Sequence, residues 1–163
     1  MSIRVGIVGV SGYGGGEALR LCANHPAFEV AYVAGESSAG ARLVEKFPGI
    51  GRLGELTIQR WDPAALPDLD VLFASLPTGE SKDALARVPA RTKIVDIGGD
   101  HRYADGWTYG LADVWPDRVR AAALPGVILA REQRHVDHGV ERGVYVPMTE
   151  EEVERLTGGD DGW

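Results

Sequence analysis

Gly9, Gly12, Gly14, Gly15 and Gly16 crowd into one short stretch near the start of the chain. Ile3 to Val8, which precedes them, is apolar and β-branched and too short for a helix, so it reads as a buried strand. A helical pattern follows from Glu17 to Asn24, with Ala18, Leu19, Leu21 and Cys22 on its apolar face. His25-Pro26 closes it, because proline pushes the residue before it out of the helical region. Strand, glycine turn and helix in direct succession leave few folds open. In the spacing Gly9-x-x-Gly12-x-x-Gly15 the first glycine permits a tight turn and the second lets the backbone approach a pyrophosphate. The third lets the helix close on the strand, while the helix N-terminus offers free N–H groups to the anion. The expected architecture is a Rossmann-type α/β domain, a doubly wound and mainly parallel sheet.

The rest of the chain extends that pattern. Phe28 to Ala34 reads as a strand, Leu56 to Trp61 as a short third strand, Val71 to Leu76 as a continuous apolar strand, and Lys93 to Ile97 as another. Glu80 to Val88 reads as a helix between the last two. Alternating strands and helices imply right-handed crossovers and a parallel sheet. The pattern weakens after residue 120. Ala121 to Leu129 is apolar but interrupted by Pro125-Gly126, Val144 to Val146 suggests a strand, and Thr149 with Glu152 forms a capping box for a helix to Leu156. We expect a nucleotide-binding domain over residues 1–120 and a shortened segment over 121–163 with no complete second domain.

Charge and cysteine content narrow the function. The net charge of −7 argues against a nucleic-acid surface, which needs clustered Lys and Arg. No apolar run is long enough to span a membrane, and the N-terminus reads as a strand rather than a signal region. A cytoplasmic location is expected. The single cysteine, Cys22, forms no intrachain disulfide, and its place on the apolar face of the first helix makes it a core residue. His135 and His138 suggest a metal pair but lack an evident third ligand, so a solvated loop is the better reading.

The binding residues follow from the turn and the strand ends. The predicted nucleotide contacts are Gly9, Ser11, Gly12, Tyr13, Gly14 and Gly15 at the turn, and Leu76 and Pro77 at the end of the Val71 to Leu76 strand. Ser75 to Gly79 and Asp96 to Asp100 both fall at carboxyl ends of strands, where ligands bind in such sheets. Glu36, just past the second strand, is placed to accept hydrogen bonds from the ribose hydroxyls of NAD. Ser37, Ser38 and Arg42 offer instead to hold the 2′-phosphate of NADP. The residues alone leave both cofactors open.

Together these segments resemble the N-acetyl-γ-glutamyl-phosphate reductase family, relatives of aspartate-semialdehyde dehydrogenase. The similar stretches are Val5 to Glu17, Leu21 to Pro26, Ser38-Ala39-Gly40, Ala74 to Gly79, Val95 to Tyr103 and Tyr109-Gly110-Leu111. The resemblance implies an oxidoreductase of arginine biosynthesis that uses NADP to convert an acyl phosphate, N-acetyl-glutamyl 5-phosphate, to the semialdehyde. The family's loop arginine after strand two aligns with Glu36, which admits NAD as the alternative. The family forms a thioester on a cysteine within Asn-Pro-Gly-Cys-Tyr, and this chain reads Ala123-Leu124-Pro125-Gly126-Val127 there. Arg134-His135 is a faint counterpart of the family's catalytic histidine motif. The resemblance therefore implies a nucleotide half that is inactive alone, with self-association as a way to cover apolar surface. Two alternatives stand beside it. One is a non-catalytic nucleotide-binding module. The other is a dehydrogenase without a cysteine, using His101 or Tyr103 as the acid.

Overall fold

The computed structural model describes residues 2–110, Val114, Asp117, and the backbone of residues 127–129, 135–137 and 140–142. In chain order the elements are β1 (Ile3–Val8), α1 (Tyr13–Ala23), β2 (Phe28–Ala34), α2 (Leu43–Lys46), β3 (Val71–Ala74), α3 (Ser81–Leu85), β4 (Lys93–Asp96), β5 (Thr108–Gly110) and β6 (Val127–Leu129). Short 3-10 turns occupy Gly51–Glu55 and Pro63–Ala65. The six strands form one sheet in the order β2-β1-β3-β4-β6-β5, and every neighbouring pair is parallel. This is the doubly wound, Rossmann-type sheet that the strand–helix alternation predicts. The chain winds from β1 outward to β2, then crosses to place β3 on the other side of β1. The strand order therefore reverses between β1 and β3, and β1 runs into the glycine turn at that reversal.

Both faces of the sheet are buried, as a parallel sheet requires. Val5, Ile7, Val10, Val30 and Val33 pack against Leu19 and Cys22 of α1, with Leu43 and Ile58 closing the layer. Val8, Tyr32, Ala34, Leu72 and Ala74 face the other way, against Leu69 and Leu85. A register shift between β1 and β2 opens at Val5/Gly6, pairing Val5 with Val30 and Gly6 with Tyr32. The extra residue, Ala31, packs on the same side as Tyr32.

Several local expectations change. Helix α1 starts at Tyr13 rather than Glu17, so the glycines Gly14, Gly15 and Gly16 lie in its first turn. Gly15, Ala18, Leu19 and Cys22 form its buried stripe, whereas Leu21 is 57% exposed. At about 100° per residue Leu21 falls roughly opposite Leu19, off the stripe. The run from Leu56 to Trp61 is not a ladder strand. It makes only isolated bridges, Arg42 with Thr57 and Ala34 with Gln59. Gln59 donates to Val33 O and accepts from Gly35 N, at 2.9 and 3.0 Å, before Asp62-Pro63 turns the chain away.

The compact unit that holds this sheet spans Met1–Arg131. A second unit, Glu132–Trp163, contains the antiparallel pair β7 (His135–Asp137) and β8 (Val140–Arg142). His135 thus lies in a strand rather than a loop, because Val136 pairs with Glu141 in the antiparallel ladder. His138, the Val144–Val146 strand, the Thr149–Leu156 helix and residues 121–126 lie outside the described residues. Among the described residues no helix is long and apolar enough to cross a membrane.

Candidate functional site

The glycine turn owes its shape to contacts that exclude side chains. Gly9 has φ +79°, the left-handed region, and a Cβ there would collide with the carbonyl of Ser75 at the end of β3. A Cβ on Gly15 would run into the Gly9 carbonyl and come within 2.8 Å of Val10 Cα. One on Gly14 would stand 2.7 Å from Ser75 Oγ. The turn is closed by Gly12 N donating to Gly9 O at 3.1 Å, and Gly9 N and Val10 N both donate to Ala34 O. A Cβ on Gly12, by contrast, meets nothing nearer than Gly9 O at 3.4 Å and would fill the open mouth of the turn. The turn therefore fits a dinucleotide pyrophosphate on its own geometry. It lies at the strand-order reversal, Gly12 is exposed at its mouth, and α1 begins directly behind it. Ser11, Gly12 and Tyr13 are exposed there.

The second strand delivers the next group. Ser38 is buried, and its hydroxyl is hydrogen-bonded to that of Ser11, which ties the loop after β2 to the glycine turn. Ser37 and Glu36 are exposed. Glu36 is not free: its carboxylate pairs with Arg60 Nη1 at 2.6 Å. Arg42 is engaged elsewhere. It stands at the N-cap of α2, its backbone N–H donates to Glu45, and its guanidinium lies 3.4 Å from Glu45 and 3.5 Å from Glu55. Glu36, Ser37 and Ser38 thus fall together at the end of β2, whereas the head of Arg42 is drawn to two carboxylates. Arg60 is the group that sequence reasoning missed. No sequence signal marks it: the bridge of the preceding residue, Gln59, to Ala34 sets this segment beside Glu36.

Leu76 and Pro77 follow β3, Leu76 partly buried against the core and Pro77 exposed. The loops after β3 and β4 are fastened to each other by two carboxylates. Asp100 accepts from Gly79 N at 2.8 Å and from Ser81 N at 2.9 Å. These backbone donors hold its carboxyl below the usual range. Asp96, fully buried, accepts from Ser81 Oγ at 3.4 Å and from Gly98 N at 2.8 Å, and lies 2.6 Å from His101 Nδ1. The His101 ring is buried too and stacks on Trp107, with centroids 3.9 Å apart. His101 is therefore built into the loop's support, while Tyr103 is 73% exposed. Cys22 is buried in α1, and burial pushes its thiol up to about 11. It is a core residue, as expected.

Known proteins share both the sequence and the fold. N-acetyl-gamma-glutamyl-phosphate reductase of Bradyrhizobium sp. strain BTAi1 is 73% identical over 120 residues, which are 73% of this chain and 37% of that protein. The Methylobacterium sp. strain 4-46 protein of the same name is 68% identical over 130 residues, 77% of this chain and 40% of its own length. The chain thus spans well under half of these curated relatives. Among solved structures, aspartate semialdehyde dehydrogenase with NADP from Candida albicans superposes with a TM-score of 0.59 at 19% identity. That match covers 81% of this chain and 43% of the other. Aspartate semialdehyde dehydrogenase II from Vibrio cholerae, complexed with ASA, gives 0.60 at 16% identity, over 81% and 42%. Those two likenesses concern the fold. The pattern that defines the semialdehyde dehydrogenase NAD-binding domain matches residues 4–122, and this chain belongs to that family.

Proposed function

We propose that this chain is the nicotinamide-dinucleotide half of an N-acetyl-γ-glutamyl-phosphate reductase, an oxidoreductase of arginine biosynthesis. The carrying observation is the glycine turn at the reversal between β1 and β3, where close backbone contacts exclude side chains at Gly9 and Gly15 while Gly12 stays exposed. Gly9, Ser11, Gly12, Tyr13, Gly14 and Gly15 would hold the pyrophosphate, and Glu36, Ser37, Ser38 and Arg42 would surround the adenosine ribose. Leu76 and Pro77 would line the far side. The bound nucleotide supplies hydride to a carbonyl carbon. The residues of this chain bind and orient it. NADP is the form that the family resemblance implies, and Glu36 is the reason to test NAD beside it. The acyl phosphate as substrate, self-association and a cytoplasmic location belong to this reading.

A second reading, a binding module without chemistry, is favoured by one observation. The chain's only cysteine is buried and its thiol is held protonated. Titration with NADPH and with NADH, followed by tryptophan and nucleotide fluorescence, tests the common core of both readings. Saturable binding that disappears in Gly12→Asp is expected, because an aspartate would put a side chain and a negative charge in the turn's mouth. Binding of neither nucleotide at millimolar concentration would overturn both readings.

A further inference from the structure

We propose that Arg60 receives the adenosine 2′-phosphate, in competition with Glu36, so that this ion pair selects between the phosphorylated and unphosphorylated cofactor. The inference rests on the nucleotide reading above and assigns a role to a residue outside the predicted site. Glu36 stands two residues beyond the end of β2, where the ribose of a dinucleotide is met in such sheets. Two backbone hydrogen bonds fix Arg60 beside it. Gln59 N donates to Val33 O and Gly35 N donates to Gln59 O, so residue 60 is carried alongside residue 36. Arg60 Nη1 then lies 2.6 Å from the Glu36 carboxylate.

The pair is inexpensive to open. Its side chains are 73% and 70% exposed, and ion pairs so solvated contribute little. Guanidinium exchanges such a carboxylate readily for a phosphate, which it binds through two parallel N–H donors. Arg42, the cation that follows in the same loop, stands between Glu45 and Glu55 and has two carboxylates to leave. Glu36 acts in the opposite direction. It is an acceptor for a ribose diol and repels a 2′-phosphate. Arg60 and Glu36 should therefore shift phosphorylated-ligand affinity with opposite signs.

Isothermal titration of the full chain with ADP-ribose and with 2′-phospho-ADP-ribose tests this without any turnover. Arg60→Ala should weaken 2′-phospho-ADP-ribose by about tenfold to a hundredfold, the scale of one charge-assisted contact, and ADP-ribose by less than about threefold. Arg60→Lys should recover part of the loss, and Glu36→Gln should tighten the phosphorylated ligand. Because both side chains are exposed, thermal melting should be unchanged in all three variants. Arg60→Ala moving the two ligands equally, or neither, would overturn the proposal while leaving the nucleotide reading intact. Wild-type protein that binds neither ligand would overturn both.

Discussion

At Gly15 the backbone of α1 passes so close beneath the Gly9 carbonyl that a methyl group has no room. The atoms in its way are backbone, so relief requires moving the helix or the turn rather than rotating a side chain. Gly15→Ala should destabilise the fold by about 1–3 kcal/mol, the usual scale of overpacking. It should also abolish nucleotide binding, because the turn's mouth widens. Gly49 is the control. No heavy atom lies within 4 Å of a Cβ there, and its φ lies outside the left-handed region, so Gly49→Ala should leave both properties unchanged. Urea denaturation and the NADPH titration read the two effects separately. Normal stability and binding in Gly15→Ala would mean that the close approach is not a requirement. The glycine spacing alone announces this constraint. It does not announce Ser75, whose carbonyl makes Gly9 obligatory from a distant strand.

Individual elements separate buried faces from exposed ones, and here the periodicity was partly legible. Ala18, Leu19 and Cys22 were identifiable as one stripe of α1, but Leu21 looked equally apolar. Two leucines on one helix therefore give a direct contrast. Leu19→Ala removes a fully buried side chain and should cost about 2–5 kcal/mol, whereas Leu21→Ala should stay within about 0.5 kcal/mol. Equal costs would place α1 in the wrong rotation. The segment Leu56 to Trp61 misled for a related reason. Its composition suits a strand, yet strand identity depends on a partner ladder, and the edge of β2 supplies one only at Val33 to Gly35. The loops after β3 and β4 carry a pH signature. The Asp100 carboxyl titrates below its usual range because Gly79 N and Ser81 N donate to the ionised form. A depressed carboxyl contributes stability above its unfolded value of about 4, and that contribution is lost as pH falls through the folded value. Asp100→Asn should flatten the acid limb of the stability–pH curve while leaving slopes above pH 6 unchanged. Denaturant midpoints measured between pH 2 and 7 check this, and an unaltered acid limb would remove Asp100 from the account.

Across the whole molecule, the parallel sheet and its glycine turn were legible because each rests on local patterns: short apolar runs, helical spacing and turn glycines. The pairing of Glu36 with Arg60 was not, since it joins residues brought together only when Gln59 docks beside β2. Nor was the support of one loop by His101, Asp96 and Trp107, because burial of a histidine has no local signature. The same global view bounds the chemistry. Reduction of an acyl phosphate by way of a thioester needs an accessible thiolate, and the 163 residues contain one thiol, Cys22. That thiol is 3% exposed in the core of α1, and burial raises it to about 11, so the thiolate is a small minority at neutral pH. The sign follows for stability as well. Between the unfolded value near 8.5 and the folded value the unfolded chain has already released this proton, so rising pH favours unfolding through that window. The 163-residue chain, mixed with N-acetyl-glutamyl 5-phosphate and NADPH, should therefore oxidise no nucleotide and carry no acyl adduct by intact mass. Iodoacetamide should leave Cys22 unmodified at pH 7.5 until urea exposes it. An acyl adduct on native Cys22 would mean that α1 opens under working conditions. The nucleophile would then lie within this chain after all.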